Sequence, residues 1–321
     1  IESAVAGVGV FDFEDDAQVA AWRIRSAAQD MLVRSPKFAT SGESSLLFNT
    51  PAWKEGMNEW PAFEAMPSVA DWRPYDRLVV DITNPTEERY FFALLISDSK
   101  VGFQKGLSFR FELPSRGFRR FVIPLSQFPK SVDRSDISIV HFFGQRPKTA
   151  MALHLDNIVL LRKGEAVGEP PSAMVRQLAD LLLQGFGSFD GLVAECRASV
   201  APLCDTAEMR RRANAELAAV EAHIGAIRDE LKSPGVTLSR MEELRTELGE
   251  LPLKLKRVVS VAGFEKSYTA LSLPDNGALI GFASSMEKIL PRDMPFELAA
   301  KKSVELSVAR NEREAFQVAV L

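Results

Sequence analysis

Cysteine is nearly absent from this chain of 321 residues, at two in all, and histidine numbers three. Two cysteines build neither a disulfide framework nor a zinc cage. Cys196 and Cys204 would lie about 12 Å apart along an unbroken helix, beyond disulfide reach, although Pro202 between them offers a break. A bridge and a pair of buried free thiols therefore both stand. His141, His154 and His223 are too few for a Ser-His-Asp or histidine-rich metal mechanism. No run approaches the ~18 consecutive apolar residues of a membrane-spanning helix. Neither sign of charge dominates: 39 basic against 43 acidic residues leave a net −4, which gives no electrostatic footprint for nucleic acid or an anionic membrane. A phosphate-cradling loop and a nucleophile elbow are missing too, and Gly185-Phe186-Gly187 has helical surroundings that do not suit a dinucleotide.

What is present is ample material for a core, with 46% apolar residues, and length for two or three domains. Aromatics divide the chain. All four Trp (22, 53, 60 and 72) fall in the first 72 residues, and between Ala166 and Ser260 only Phe186 and Phe189 are aromatic. The stretch 162–171, ending in Pro170-Pro171, reads as a linker. Before it, residues 77–82, 90–96, 107–113, 119–125, 137–143 and 151–161 are short, β-branched or aromatic runs separated by turn residues. They predict a β-sandwich of jelly-roll type over 1–165.

After the linker the period becomes helical. Leu217, Val220, Ile224, Ile227 and Leu231 form a coiled-coil-like seam, with Asp205 and Glu208 as a capping box. Leu238, Met241, Leu244, Leu248, Leu251 and Leu255 form a second stripe, with Ser239 and Glu242 as its box, and a preceding helix starts near Ser172. Residues 166–260 thus read as a helical hairpin or three-helix stalk, which raises the possibility of self-association through the seam. From about Val261 strands return, over 302–309 and again from Ala315, so 261–321 reads as the incomplete start of a second β-sandwich. The fold class is mainly β with an α-helical segment. A chain that opens at Ile1 without Met and stops within a strand is expected to be part of a longer protein, with a leader removed upstream.

Aromatic rings on a β-sandwich stack on sugar faces, because the axial C–H groups of a pyranose meet the electron-rich ring. Trp53, Trp60, Trp72 and Tyr75 are the candidates, each equally suited to anchoring a core or loop. Trp53 and Trp60 lie in a Pro/Gly/Asn-rich stretch, and Asn58, Asp71 and Arg73 are the polar groups near enough in sequence to meet hydroxyls. Acidic residues at both ends of the sandwich, in 12–16 and at Asp156, suggest a structural Ca²⁺ held by Glu14 and Asp156, with a solvated acidic turn as the alternative. The acidic residues are too numerous to single out a glycosidase pair, and no complete active site is visible. Arg310 to Glu314 is a dense charge cluster between two strands.

Two stretches resemble known families. Phe11-Asp12-Phe13-Glu14-Asp15, Gly42-Glu43-Ser44-Ser45-Leu46-Leu47-Phe48, Asp71-Trp72-Arg73-Pro74-Tyr75-Asp76 and Leu155-Asp156-Asn157-Ile158 follow the order of carbohydrate-binding-module-like jelly rolls of the galactose-binding-domain type. The segment 304–317, with Ser285-Met286-Glu287-Lys288-Ile289 before it, resembles the opening of the β-sandwich ahead of the catalytic barrel in family-123-like glycoside hydrolases. The resemblance implies the non-catalytic glycan-binding and spacer region of an exported bacterial polysaccharide-degrading enzyme, secreted or periplasmic. The barrel is not in this chain, so no catalytic residue carries over. A purely structural packing module, or a helical scaffold without a glycan, is the other reading.

Overall fold

The computed structural model describes residues 7–25, 31–101, 105–270, 280–284 and 316–320. The chain divides into two compact units between Leu182 and Leu183. The first is a sandwich of two antiparallel sheets, as its strand pattern predicts. The inner sheet elements are β1 (Val8–Phe11), β3 (Met31–Ser35), β4 (Ser45–Thr50), β6 (Arg77–Asn84), β9 (Gly117–Pro124) and β11 (Met151–Leu161), in the order β3-β4-β11-β6-β9 with β1 also paired to β11. The second sheet runs β2 (Arg23–Ile24), β5 (Ala62–Ala65), β10 (Ile137–Gly144), β7 (Tyr90–Asp98) and β8 (Leu107–Leu113). A short helix, α1 (Asp16–Ala20), follows β1 and is capped by the Asp15 side chain, which accepts from the Gln18 amide at 2.8 Å.

Side-chain alternation along the strands fills the space between the sheets. Leu78, Val80 and Ile82 from β6, Phe92, Leu94 and Ile96 from β7, and Val140 and Phe142 from β10 all point there and are buried. Aromatic rings dominate: Phe92 and Phe142 stack at 5.7 Å between centroids, Phe63 and Phe142 at 5.5 Å, and Trp22 lies edge-on to Phe63 at 5.3 Å. Burying each such ring stabilises the sandwich by about 1.5–3 kcal/mol.

The six-stranded sheet is covered on its other face as well. Val79, Val159 and Leu161 form a small cluster with Val167 of the segment that follows β11. Arg120 fixes that segment by donating to the Gly168 carbonyl at 2.7 Å while forking Asp81 at 2.8 Å through both Nε and Nη2. Helix α2 (Ser172–Gln184) continues from there, and Gln177 accepts the Phe38 amide at 2.6 Å. On the outer face of the five-stranded sheet Phe91, Ser108, Arg110 and Glu112 are exposed.

The second unit is a three-helix bundle of α3 (Phe186–Val200), α4 (Ala207–Lys232) and α5 (Leu238–Ala270). The Leu217-to-Leu231 seam is buried within it, against α5, whose Met241, Leu244, Leu248, Leu251 and Leu255 are buried in turn. Thr206 rather than Asp205 caps α4, accepting the Met209 amide at 3.1 Å, and Thr237 accepts from Arg240 before α5. Helix α5 runs to Ala270, past position 260 where the sequence pattern turns towards strand, and it carries Pro252 in its interior. Cys196 and Cys204 are buried free thiols, with a short 3₁₀ turn through Pro202 between them. Two strands, β12 (Ile280–Ser284) and β13 (Phe316–Val320), pair antiparallel. The expected strand at 302–309, the lead-in at 285–289 and the charge cluster at 310–314 lie outside the described residues.

Candidate functional site

The solvent face of the five-stranded sheet is built by the residues that alternate with the core. On β10, Val140 and Phe142 point inward, which turns His141 and Phe143 outward, with their rings 5.5 Å apart. Pairing sets two rows across this face. One runs Arg23, Glu64, His141, Leu95 and Ser108; the other has Phe143 between Ala62 and Ala93, with Arg110 beyond Ala93. Arg25 closes the second row, its amide donating to the Ala62 carbonyl at 2.8 Å. Alanine on either side of Phe143 leaves the ring standing proud of its neighbours.

Glu64 is the hub of the first row. Its side chain is 7% exposed and is ringed by Arg23 at 3.2 Å, Arg25 at 3.5 Å and His141 Nδ1 at 3.4 Å. Burial depresses the His141 pKa, Glu64 pulls it back up, and Arg25 adds to the depression. The imidazole beside Glu64 is therefore held towards its neutral form, a hydrogen-bonding group more than a cation.

Trp60 extends the platform. It is 44% exposed and meets Phe143 edge-on at 5.9 Å. Asn58 sets its position by accepting the Trp60 amide at 2.9 Å. The loop carrying both is tied to the end of β10: Gly144 donates to the Pro61 carbonyl, Arg146 to the Glu59 carbonyl, and Trp53 to the Pro147 carbonyl. Arg146 also ion-pairs with Glu59 and lies 5.0 Å from the centre of the Trp53 ring. Trp53 is half-buried, with Nε1 donating to Met57, so one of its faces belongs to Arg146. Phe91, 64% exposed, faces outward on the neighbouring strand.

The other sequence candidates sit elsewhere. Ala70 joins the start of β10, where its carbonyl accepts from Ile137. Asp71, Trp72, Arg73 and Tyr75 thus lie about 20 Å along the strand from Phe143, at ~3.4 Å per residue. Two of them correct the expectation that they stack on sugar. Trp72 is fully buried with Nε1 donating to Val69 at 2.7 Å, and Tyr75 is 8% exposed, so neither ring has a free face. They anchor the loop into the core. Asp71 and Arg73 pair with each other at 2.7 Å, and Arg73 lowers the Asp71 pKa to about 2.

Glu14 and Asp156 each serve a turn. Glu14 accepts from the Glu43 and Ser44 amides at 3.0 Å, its carboxylate filling the space a Cβ on Gly42 would take, at a residue whose φ is +62°. Asp156 accepts from the amides of Thr40, Ser41 and Asn157 at 2.6, 2.9 and 2.6 Å. Burial raises its pKa to about 7 against those three donors, with Asp81 adding to the rise. Carboxylate lone pairs spent on backbone amides do not fit a calcium cage. Among the described residues no group of three or more His, Cys, Asp or Glu is gathered for a metal.

A cleft of about 700 Å³ opens between α4 and α5, lined by Arg212, Glu216, His223, Lys254 and Arg257 among others. Its lining includes no Trp, Tyr or Phe, so it offers no stacking surface. Among the described residues no helix is long and apolar enough to cross a membrane.

Glu64, Phe143 and the flanking arginines escape a reading of motifs because they are scattered over four strands. The signal that finds them is register: once β5 and β10 are paired, every second residue falls on one face. No family model and no curated protein matches the chain. Similar solved structures include a family 11 carbohydrate-binding module from Clostridium thermocellum in complex with a β-1,3-1,4-mixed-linked tetrasaccharide. It is 18% identical with TM-score 0.40, over 51% of this chain and 100% of that one. A family 28 module specific for non-crystalline cellulose is 15% identical at TM-score 0.36, over 49% and 95%. An exo-β-agarase is 13% identical at TM-score 0.39, over 51% of this chain, which spans 26% of the agarase.

Proposed function

We propose that the outer face of the five-stranded sheet binds a glycan chain, with Trp60 and Phe143 stacking on pyranose rings. Arg23, held in place by the buried Glu64, meets the hydroxyls. The observation that carries this reading is the half-exposed Trp60 set edge-on to Phe143, on a sheet face where the neighbouring polar groups are already held in place by one another. Rings so placed offer electron-rich faces to sugar C–H groups, and prepositioned polar groups lower the ordering cost of binding. An open face of this kind suits micromolar to millimolar affinity, about −8 to −4 kcal/mol. The finer reading is the targeting and spacer region of an exported family-123-like glycoside hydrolase. It rests on residues 285–289 and 304–317 and is tested by the gene sequence beyond Leu321.

Affinity electrophoresis of the full chain through gels containing soluble polysaccharides tests the binding proposal. Retention is expected on at least one glycan and should weaken at least tenfold in Trp60→Ala and in Phe143→Ala. Retention that both variants leave unaltered would move the site elsewhere. No retention on any glycan would favour the packing-module reading.

A further inference from the structure

The charge on this face runs against the rest of the chain. The whole molecule carries a net −4. On the two central rows of the outer face, Arg23, Arg25 and Arg110 stand against the one carboxylate of Glu64, with His141 held towards neutrality. Two further pairs at the rim, Arg89 with Glu112 and Arg146 with Glu59, cancel internally. The platform is therefore net positive by two charges: Arg23 and Arg25 share one carboxylate, and Arg110 makes no ion pair among the described residues.

The arginines are placed to use that excess. Arg23 and Arg25 rest on a buried carboxylate while their own side chains stay 72% and 52% exposed. Glu64 thus orients two guanidinium groups without covering them, and a guanidinium has five donors in a fixed fork. Arg110 is exposed and makes no ion pair among the described residues. Arg25 and Arg110 terminate the row centred on Phe143. Four strand spacings of ~4.8 Å separate them by about 19 Å, with the ring between. A cation at each end and an aromatic ring in the middle match a polymer that alternates sugar faces with anionic substituents.

We propose that the ligand of this face is an acidic polysaccharide, whose carboxylate or sulfate groups engage Arg25 and Arg110 on either side of the sugar stacked on Phe143. This rests on the reading of the face as a glycan-binding surface and adds the ligand class to it. Acidity is the shared chemistry, and polygalacturonate or alginate (carboxylate) against carrageenan (sulfate) separates its two sources.

The test is affinity electrophoresis of the full chain on those three polymers and on two neutral ones, mixed-linkage β-glucan and agarose. It is run at 50 and 500 mM NaCl with the wild type, Arg110→Glu, Arg25→Gln and Trp60→Ala. Arg110 makes no ion pair among the described residues and Arg25→Gln leaves Arg23 on Glu64, so both variants keep the fold, which a thermal melt checks. Expected is retention on an acidic polymer that falls about fivefold to tenfold in each arginine variant, falls again at high salt, and is lost in Trp60→Ala. Retention on neutral glycans that needs Trp60 but neither arginine overturns the acidic ligand and leaves glycan binding standing. Retention on polyanions that survives Trp60→Ala is generic charge attraction and also overturns it. No retention on any of the five polymers fails both readings.

Discussion

His154 and Asp156 point to the same side of β11, two residues apart, and their environments push their protons in opposite directions. His154 is buried beside Phe38, whose ring lies 4.9 Å away. The Ser45 hydroxyl donates to the Lys37 carbonyl at 2.7 Å and sits 2.9 Å from His154 Nδ1. Burial, reinforced by Lys37, lowers the His154 pKa from 6.5 to about 4. Asp156 moves the other way, from 3.8 to about 7. Between pH 4.5 and 6.5 the unfolded chain holds an extra proton on histidine, so His154 makes stability rise with pH. Over the same interval the folded chain holds an extra proton on Asp156, so Asp156 makes stability fall with pH. The slopes are each close to 1.36 kcal/mol per pH unit and nearly cancel.

Removing either residue exposes the other. In His154→Gln the sandwich is expected to lose about 2 kcal/mol relative to the wild-type curve as pH rises from 4.5 to 6.5. In Asp156→Asn it is expected to gain about 2 kcal/mol over the same interval, so the two variants diverge by about 4 kcal/mol. Constant offsets from lost hydrogen bonds do not alter these slopes. Urea unfolding followed by tryptophan fluorescence reads the right unit, because all four Trp lie in the first 72 residues. Variant curves that both run parallel to the wild type would refute the opposed titrations. Curves that diverge with the signs exchanged would refute them as well.

Arg120→Met leaves Asp81, whose side chain has no solvent exposure, with only the Asn157 amide at 3.0 Å. It should cost about 3–5 kcal/mol in the same urea assay, and a loss below 1 kcal/mol would mean that the fork contributes little. Chelation of divalent ions is expected to leave the tryptophan-monitored melting temperature unchanged, since Glu14 and Asp156 are committed to backbone amides. A fall of several degrees, reversed by added Ca²⁺, would reinstate the cation.

The strands from β6 to β11 were legible because each alternates or runs apolar between turn residues, and the α4 seam because its 3-4 spacing has one physical meaning. The extent of α5 was not. The strand expected from about Val261 follows a valine-rich stretch at 258–261, yet Val258 and Ala262 are buried there as parts of a helix. Packing in the bundle overrides local propensity. The helix caps shifted for a related reason. Asp205 and Thr206 are both good caps, and only the tertiary path of the chain selects Thr206.

The outer face of the five-stranded sheet divides along the same line. Trp60 and Asn58 were visible because a loop rich in Pro, Gly and Asn advertises itself. Trp72 looked equivalent by composition, but its loop lies against the core. Burying the ring there stabilises by about 1.5–3 kcal/mol, and Val69 offers its carbonyl to the indole. Glu64 was the least legible residue of all. In Ala62-Phe63-Glu64-Ala65 it is one polar residue in a short apolar run, and nothing nearby in sequence pairs with it. Its meaning comes from β2 and β10, which bring Arg23, Arg25 and His141 to it from positions about 40 to 80 residues away. A carboxylate that is 7% exposed is costly to bury unless it is paired, and here it is paired with groups that still face solvent. The sequence can show that such a residue is out of place, but only the sheet register shows that its burial holds two arginines outward on the face where Phe143 and Trp60 stand.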